Sequence, residues 1–124
     1  MKPTVLVVED EPKIADIFAK VILSIDCSYM RASKVSEALY ALSHQKFQVV
    51  ICDLCLPDGS GIAVAQRAVR KGCGLIIVTG YVERYANDLS ELQNINLKIK
   101  ILHKPFPLSE LESSLLDLVG PLSR

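Results

Sequence analysis

The chain carries no excess charge of either sign: fourteen lysines and arginines balance fourteen aspartates and glutamates. This excludes a broad positive field for holding nucleic acid, and also the self-repulsion that keeps strongly charged tails disordered. If DNA is involved, another chain must carry it. Long apolar blocks are missing too. The apolar runs extend for about five residues, against the roughly 20 needed to span a bilayer. The N-terminus has neither the basic start nor the extended apolar segment of a signal peptide, so a cytoplasmic protein that does not engage a membrane is expected. Among Cys27, Cys52, Cys55 and Cys73 only Cys52 and Cys55 are closely spaced, and no second pair completes a zinc or redox site. Reduced, mostly buried thiols are expected instead. There is no internal repeat, low-complexity tract or linker. What remains is a chain of 124 residues, half of them hydrophobic, which reads as one globular domain over residues 1–124 with a continuous core.

The organising stretch is Val49-Val50-Ile51-Cys52-Asp53, followed by Leu54-Cys55-Leu56-Pro57-Asp58-Gly59-Ser60-Gly61. Four apolar residues running into a carboxylate and then a Pro/Asp/Gly/Ser loop predict a buried strand that delivers Asp53 to its carboxyl end. Two other strands end the same way. Thr4 to Val8 runs into Glu9-Asp10-Glu11, and Leu75 to Val78 runs into Thr79-Gly80. A weaker strand is predicted over Cys27 to Ala32. The last strand is read from Ile95, Leu97, Ile99 and Ile101 alternating with Asn96, Lys98 and Lys100, the pattern of an edge strand with one wetter face; it runs on into His103-Lys104-Pro105.

Helices fall between these strands. Pro12 suits a first helical turn, and Ile14, Ile17, Phe18 and Val21 form the first apolar stripe. Val35, Ala38, Leu39 and Leu42 repeat the spacing with Ser33 as the expected cap. Gly61 to Lys71 predicts a third helix stopped by Gly72 and Gly74, and Val82, Tyr85, Leu89 and Leu92 mark a fourth. Leu108, Leu111, Leu115 and Leu118 mark a fifth, with Ser109 and Glu112 as a capping box. His44, at a helix end, and His103 read as structural.

Five strands alternating with five helices predict an α/β protein with a parallel sheet covered on both sides and right-handed crossovers. The common order for such a sheet is 2-1-3-4-5, which opens a crevice at the carboxyl ends of strands one and three. Asp10 and Asp53 then face each other across it, joined by Glu9, with Thr79 from the next strand and Lys104 from the one beyond. Crowded carboxylates either take up protons or recruit a hard cation, and oxygen ligands with partial exposure favour Mg²⁺. With the cation in place Asp53 becomes a nucleophile toward phosphorus, and Lys104 and Thr79 take further phosphoryl oxygens. Each feature has a plainer reading alone: a βα loop at Asp53, an acidic helix start at Asp10, an ordinary strand end at Thr79. Their joint arrangement favours the chemical one.

Val7-Val8-Glu9-Asp10-Glu11, Asp53 with Pro57 and Gly61, Val78-Thr79-Gly80 and Lys104-Pro105-Phe106 together resemble the receiver domain of two-component response regulators, over nearly the whole chain. The resemblance implies the flavodoxin-like (βα)₅ fold. It implies Asp53 as phospho-acceptor, Glu9 and Asp10 as the acidic pair, the backbone carbonyl of Cys55 in the Mg²⁺ shell, Thr79 as switch hydroxyl and Lys104 as phosphate-binding cation. It also implies a phosphoryl group from the phosphohistidine of a sensor histidine kinase or phosphotransfer protein, and a downstream protein partner; a homodimer is left open. Two departures bear on the switch: Ile101 stands where the family often has an aromatic residue, and about three extra residues separate Thr79 from Lys104. The resemblance also implies that the residues two after the phospho-acceptor and two after the switch threonine, here Cys55 and Tyr81, flank the approach to phosphorus, and neither is an acid or amide suited to holding an attacking water. A long-lived phosphorylated state is therefore expected. Two other readings are a receiver-like binding module that is never phosphorylated, and a flavodoxin or aspartate-nucleophile phosphatase on the same fold. Against the last, the first βα loop has acids where a flavin phosphate needs hydroxyls and glycines, and Cys55 stands where a phosphatase has its second aspartate.

Overall fold

The computed structural model describes residues 2–95 and 98–120. Its sheet is built from β1 (Thr4–Val8), β2 (Ser28–Ala32), β3 (Val49–Asp53), β4 (Gly74–Thr79) and β5 (Ile99–His103). All four pairings are parallel and the order is β2-β1-β3-β4-β5, as the alternation predicts. The helices are α1 (Pro12–Ser24), α2 (Val35–His44), α3 (Ile62–Arg70), α4 (Ala86–Ile95) and α5 (Leu108–Val119). A 3-10 turn, Val82–Tyr85, precedes α4, and a two-residue hairpin, Cys55–Leu56 with Gly59–Ser60, follows β3. No described helix is long and apolar enough to cross a membrane.

The central strands are continuously apolar because both of their faces are covered. Leu6, Val8, Val50, Cys52, Leu75 and Ile77 face one core with Ala38, Leu42, Val64, Ala68 and Leu89. Val5, Val7, Val49, Ile51, Ile76 and Val78 face the other with Phe18, Ile22, Leu111 and Leu115. Each fully buried aliphatic side chain contributes about 1.5–3 kcal/mol relative to exposure, so the three central strands alone anchor the fold. Their common carboxyl edge is thereby held rigid.

Four expectations are corrected. In α1 the buried face is Ala15, Phe18, Ala19 and Ile22, and Ile17 is 41% exposed. The two alanines let the helix lie close to the sheet, a contact that a stripe drawn through large apolar residues overlooks. At the start of α2 the Ser33 hydroxyl donates to Glu37 Oε1, while the free amides of Val35 and Ser36 donate to the Asp58 carboxylate at 2.7 and 3.0 Å. The cap therefore comes from the loop after β3. In α5, Ser109 and Glu112 both lie inside the helix behind Pro107, which provides no side-chain cap, so the capping box is not formed. Ile95 closes α4 and is 72% exposed, so the last strand begins at Ile99; Asn96 and Leu97 lie outside the described residues. A period of two continued by chance across a helix end. β5 remains an edge strand as expected, with Lys100 paired to Asp117 at 3.3 Å.

Gly61 has an ordinary negative φ of −67°, so its role is space rather than backbone freedom. A Cβ there would collide with the Asp53 carbonyl oxygen and sit 2.8 Å from Cys52 Sγ. Neither neighbour can yield, since both belong to a buried strand. Gly61→Ala should therefore lower stability by about 1–3 kcal/mol through overpacking, read as a fall in the denaturation midpoint with an unchanged slope. An unaltered midpoint would mean that the loop moves freely.

Candidate functional site

Glu9, Asp10, Asp53, Thr79 and Lys104 all stand at the carboxyl ends of parallel strands, where a doubly wound sheet opens its crevice. The register brings them together: Val8 lies beside Cys52, Asp53 beside Val78, and Thr79 beside His103. The crevice has a volume of about 490 Å³ and is lined by acids, Cys55, Gly80, Tyr81 and Lys104. Carboxylate oxygens of Glu9, Asp10 and Asp53 all lie within 4.8 Å of one another.

Lys104 Nζ donates to Asp53 Oδ2 at 2.9 Å and stands 3.6 Å from Glu9 Oε1. The other Asp53 oxygen, Oδ1, accepts the Cys55 amide at 3.0 Å. Glu9 is almost wholly buried, at 1% exposure. Its Oε2 accepts the Glu11 amide at 3.2 Å, but Oε1 is the one buried side-chain polar atom without a hydrogen-bond partner among the described residues. Burial is the main cause that pushes the Glu9 carboxyl up to about 7; the Asp53 charge adds to it, while the Glu11 amide and Lys104 oppose it. Burial also disfavours the Lys104 charge, but the hydrogen bond it donates to Asp53 and the charges of Glu9 and Asp53 outweigh it and raise the ammonium pKa.

These residues fit a hard divalent cation. Three carboxylates converge, one buried oxygen makes no hydrogen bond among the described residues and has only the Lys104 ion pair at 3.6 Å, and Asp10 remains exposed at the mouth. Oxygen donors with partial access to water are what Mg²⁺ favours.

Thr79 is fully buried, does not line the crevice, and accepts the Tyr81 amide on Oγ1 at 2.9 Å. Its carbonyl accepts the Lys104 amide at 2.8 Å, so the ends of β4 and β5 are tied together. The Tyr81 ring lies under the Arg84 guanidinium at 4.8 Å, which holds it at the rim. Ile101 packs against the α2/α3/α4 core, and His103 is exposed. The Cys52 thiol, raised far above its ordinary pKa by burial, donates to the Asp53 and Gly61 carbonyls.

Three supports were not read from the sequence. Arg31 bonds the backbone carbonyls of Glu9 and Asp10, Asp58 caps α2, and the Cys52 thiol bridges the strand end to Gly61. Only Asp58 gave a local signal, as an acid in a turn, and that signal does not point to a helix 22 residues upstream.

Residues 5–116 match the response regulator receiver domain family, and the chain belongs to that family. It is 33% identical over 75 residues to the probable transcriptional regulatory protein TcrX of Mycobacterium tuberculosis, a match covering 60% of this chain and 32% of that protein. The chain thus spans about a third of the length of that curated relative. Among solved structures it is similar to a CheY-like receiver domain from Methylobacillus flagellatus, with 24% identity, a TM-score of 0.80, and coverage of 95% and 99% of the two chains. It is also similar to the receiver domain of a sensor histidine kinase from Pseudomonas aeruginosa, with 18% identity, a TM-score of 0.79, and coverage of 97% and 99%. That structure has a magnesium ion coordinated in its active-site cleft.

Proposed function

We propose that this receiver domain accepts a phosphoryl group on Asp53 from the phosphohistidine of a histidine kinase or phosphotransfer protein, in a Mg²⁺-dependent reaction, and thereby regulates a protein partner. The observation that carries this reading is the Asp53 carboxylate held between the Cys55 amide and Lys104, beside two further acids, one with a buried oxygen that makes no hydrogen bond and stands 3.6 Å from the Lys104 ammonium. Glu9, Asp10, Asp53 and the Cys55 carbonyl would hold the cation; when bound, it supplies positive charge that offsets the carboxylates and the phosphoryl oxygens. An Asp53 oxygen attacks the phosphorus of a phosphoimidazole that carries a proton on its other ring nitrogen; the phosphorus–nitrogen bond breaks, its electron pair stays on nitrogen, and the imidazole leaves neutral. Lys104 exchanges its carboxylate partner for a phosphoryl oxygen, and the Thr79 hydroxyl turns from the Tyr81 amide to another. The domain is thus a phospho-acceptor that promotes its own phosphorylation and dephosphorylation, not an enzyme acting on a separate substrate.

The donor's approach is supported by an apolar groove of about 440 Å³ that shares Lys104 with the site and is lined by Ile14, Ile17, Pro105, Phe106 and Leu108. A helical donor presenting a histidine has an apolar face to seat there while the imidazole reaches Asp53.

Intact mass after incubation with acetyl phosphate and Mg²⁺ tests the proposal. One phosphoryl group should be gained, none after removal of divalent cation, and Asp53→Asn should lose nearly all of it. An equal adduct in Asp53→Asn would place the acceptor elsewhere.

A further inference from the structure

Arg31 sits on β2 opposite Val7 of β1, one strand away from the acids. Its Nε and one terminal nitrogen donate to the Glu9 carbonyl at 3.2 and 3.1 Å, and the same terminal nitrogen donates to the Asp10 carbonyl at 3.1 Å. The guanidinium is absent from the residues that line the crevice. It touches the acidic pair through the backbone alone.

We infer that Arg31 is a positioning residue for the cation site, clamping the β1–α1 turn so that Glu9 and Asp10 present their carboxylates together. The inference rests on the phospho-acceptor reading of the same site and adds a residue to it. Glu9 is buried and placed by packing, but the Asp10 side chain is exposed, so its position depends on the main chain that carries it. That main chain needs restraint, because neighbouring carboxylates repel and Pro12, as first residue of α1, offers no amide to the turn. A planar guanidinium meets two successive carbonyls with a rigid fork, which the single ammonium of lysine cannot reproduce.

Removing a positive charge near a cation site has the opposite effect of removing a clamp. Arg31 is solvent-exposed, so water and salt screen its repulsion of a bound cation, and loss of the clamp should dominate. Calorimetric Mg²⁺ titration without any phosphodonor, on the parent, Arg31→Ala and Arg31→Lys, separates the two effects. Arg31→Ala should raise the Mg²⁺ dissociation constant by about tenfold, a typical cost for a residue that orients metal ligands. Arg31→Lys, which keeps the charge but not the fork, should recover only part of that loss. Amide hydrogen exchange at Asp10 and Glu11 in metal-free protein should quicken in both variants. With acetyl phosphate, the half-saturating Mg²⁺ concentration should rise while the rate at saturating Mg²⁺ stays near that of the parent. Unchanged or tighter Mg²⁺ binding in Arg31→Ala overturns the clamp, as does full rescue by lysine with unaltered exchange. Should the alanine variant fail to fold, the lysine variant decides by the same readings. A parent that binds Mg²⁺ but gains no phosphate overturns the phospho-acceptor reading and leaves the clamp standing.

Discussion

The Mg²⁺-free protein should melt at progressively lower temperature as pH is raised from about 4.5 to 7, and saturating Mg²⁺ should abolish the decline. The cause is Glu9, whose carboxyl is pushed from its ordinary value near 4.5 up to about 7, chiefly by burial. Across that window the folded protein holds a proton there that the unfolded chain has released, so stability falls with rising pH. Below the unfolded value the contribution is fully present; above 7 it is lost. Glu37 and Asp58 work in the other direction. Their carboxyls are lowered: at Asp58 desolvation raises the carboxyl but the Ser36 and Val35 amides together outweigh it, and at Glu37 hydrogen bonds from Ser33 lower it. What they contribute is present above their unfolded values and lost as pH falls through the folded ones. Stability should therefore peak on the acidic side of neutrality. Glu9→Gln removes the titrating proton and should flatten the limb between 4.5 and 7 while leaving the acid limb intact. If Glu9 is a Mg²⁺ ligand, as proposed, the cation takes its ionised form, so Mg²⁺ affinity should climb with pH and level off above 7. A melting temperature independent of pH in that window would show that Glu9 ionises normally.

The same burial explains which parts of the molecule were legible in the sequence. β1, β3 and β4 are covered on both faces, so their runs of Val, Ile and Leu are continuous and hard to read as anything else. Once such strands alternate with helical patterns a parallel sheet follows, whose carboxyl ends share one edge, and the common order β2-β1-β3-β4-β5 sets Asp10 beside Asp53 there, with Lys104 two strands on. The details that failed are those fixed by partners distant in sequence. Ser33 has the right chemistry to cap α2, yet Asp58 arrives from another loop with two oxygens and takes the amides. Ile17 belongs to a strong helical stripe, yet the two alanines decide which face lies on the sheet. Arg31 lay in a weak edge strand, and nothing local marked its side chain as bound to the turn between β1 and α1.

Lys104→Met should move cation binding and phosphorylation in opposite directions. In the metal-free site the ammonium is the only cation among the crevice-lining side chains, 2.9 Å from Asp53 and 3.6 Å from Glu9, with Glu9 almost fully buried. It occupies lone pairs that Mg²⁺ must take over, and its charge repels the incoming ion. Methionine keeps much of the side-chain volume and removes both obstacles, so Mg²⁺ should bind more tightly than to the parent. Phosphorylation asks for something else. In the proposed transfer, charge on the phosphoryl oxygens is met from a fixed position, which β5 would supply through Lys104, whose own amide is bonded to the Thr79 carbonyl at 2.8 Å. Loss of one such preorganised donor costs roughly 10²–10³-fold in rate. The rate of adduct formation from acetyl phosphate, measured at saturating Mg²⁺ so that altered affinity does not enter, should fall toward that range. Without metal, Lys104→Met should also be less stable at pH 8 than at pH 5 by more than the parent, because Glu9 and Asp53 then repel with no cation between them. Weaker Mg²⁺ binding in the variant would show that Lys104 builds the cation site rather than competing with it, and a full rate of phosphorylation would remove Lys104 from the transfer step.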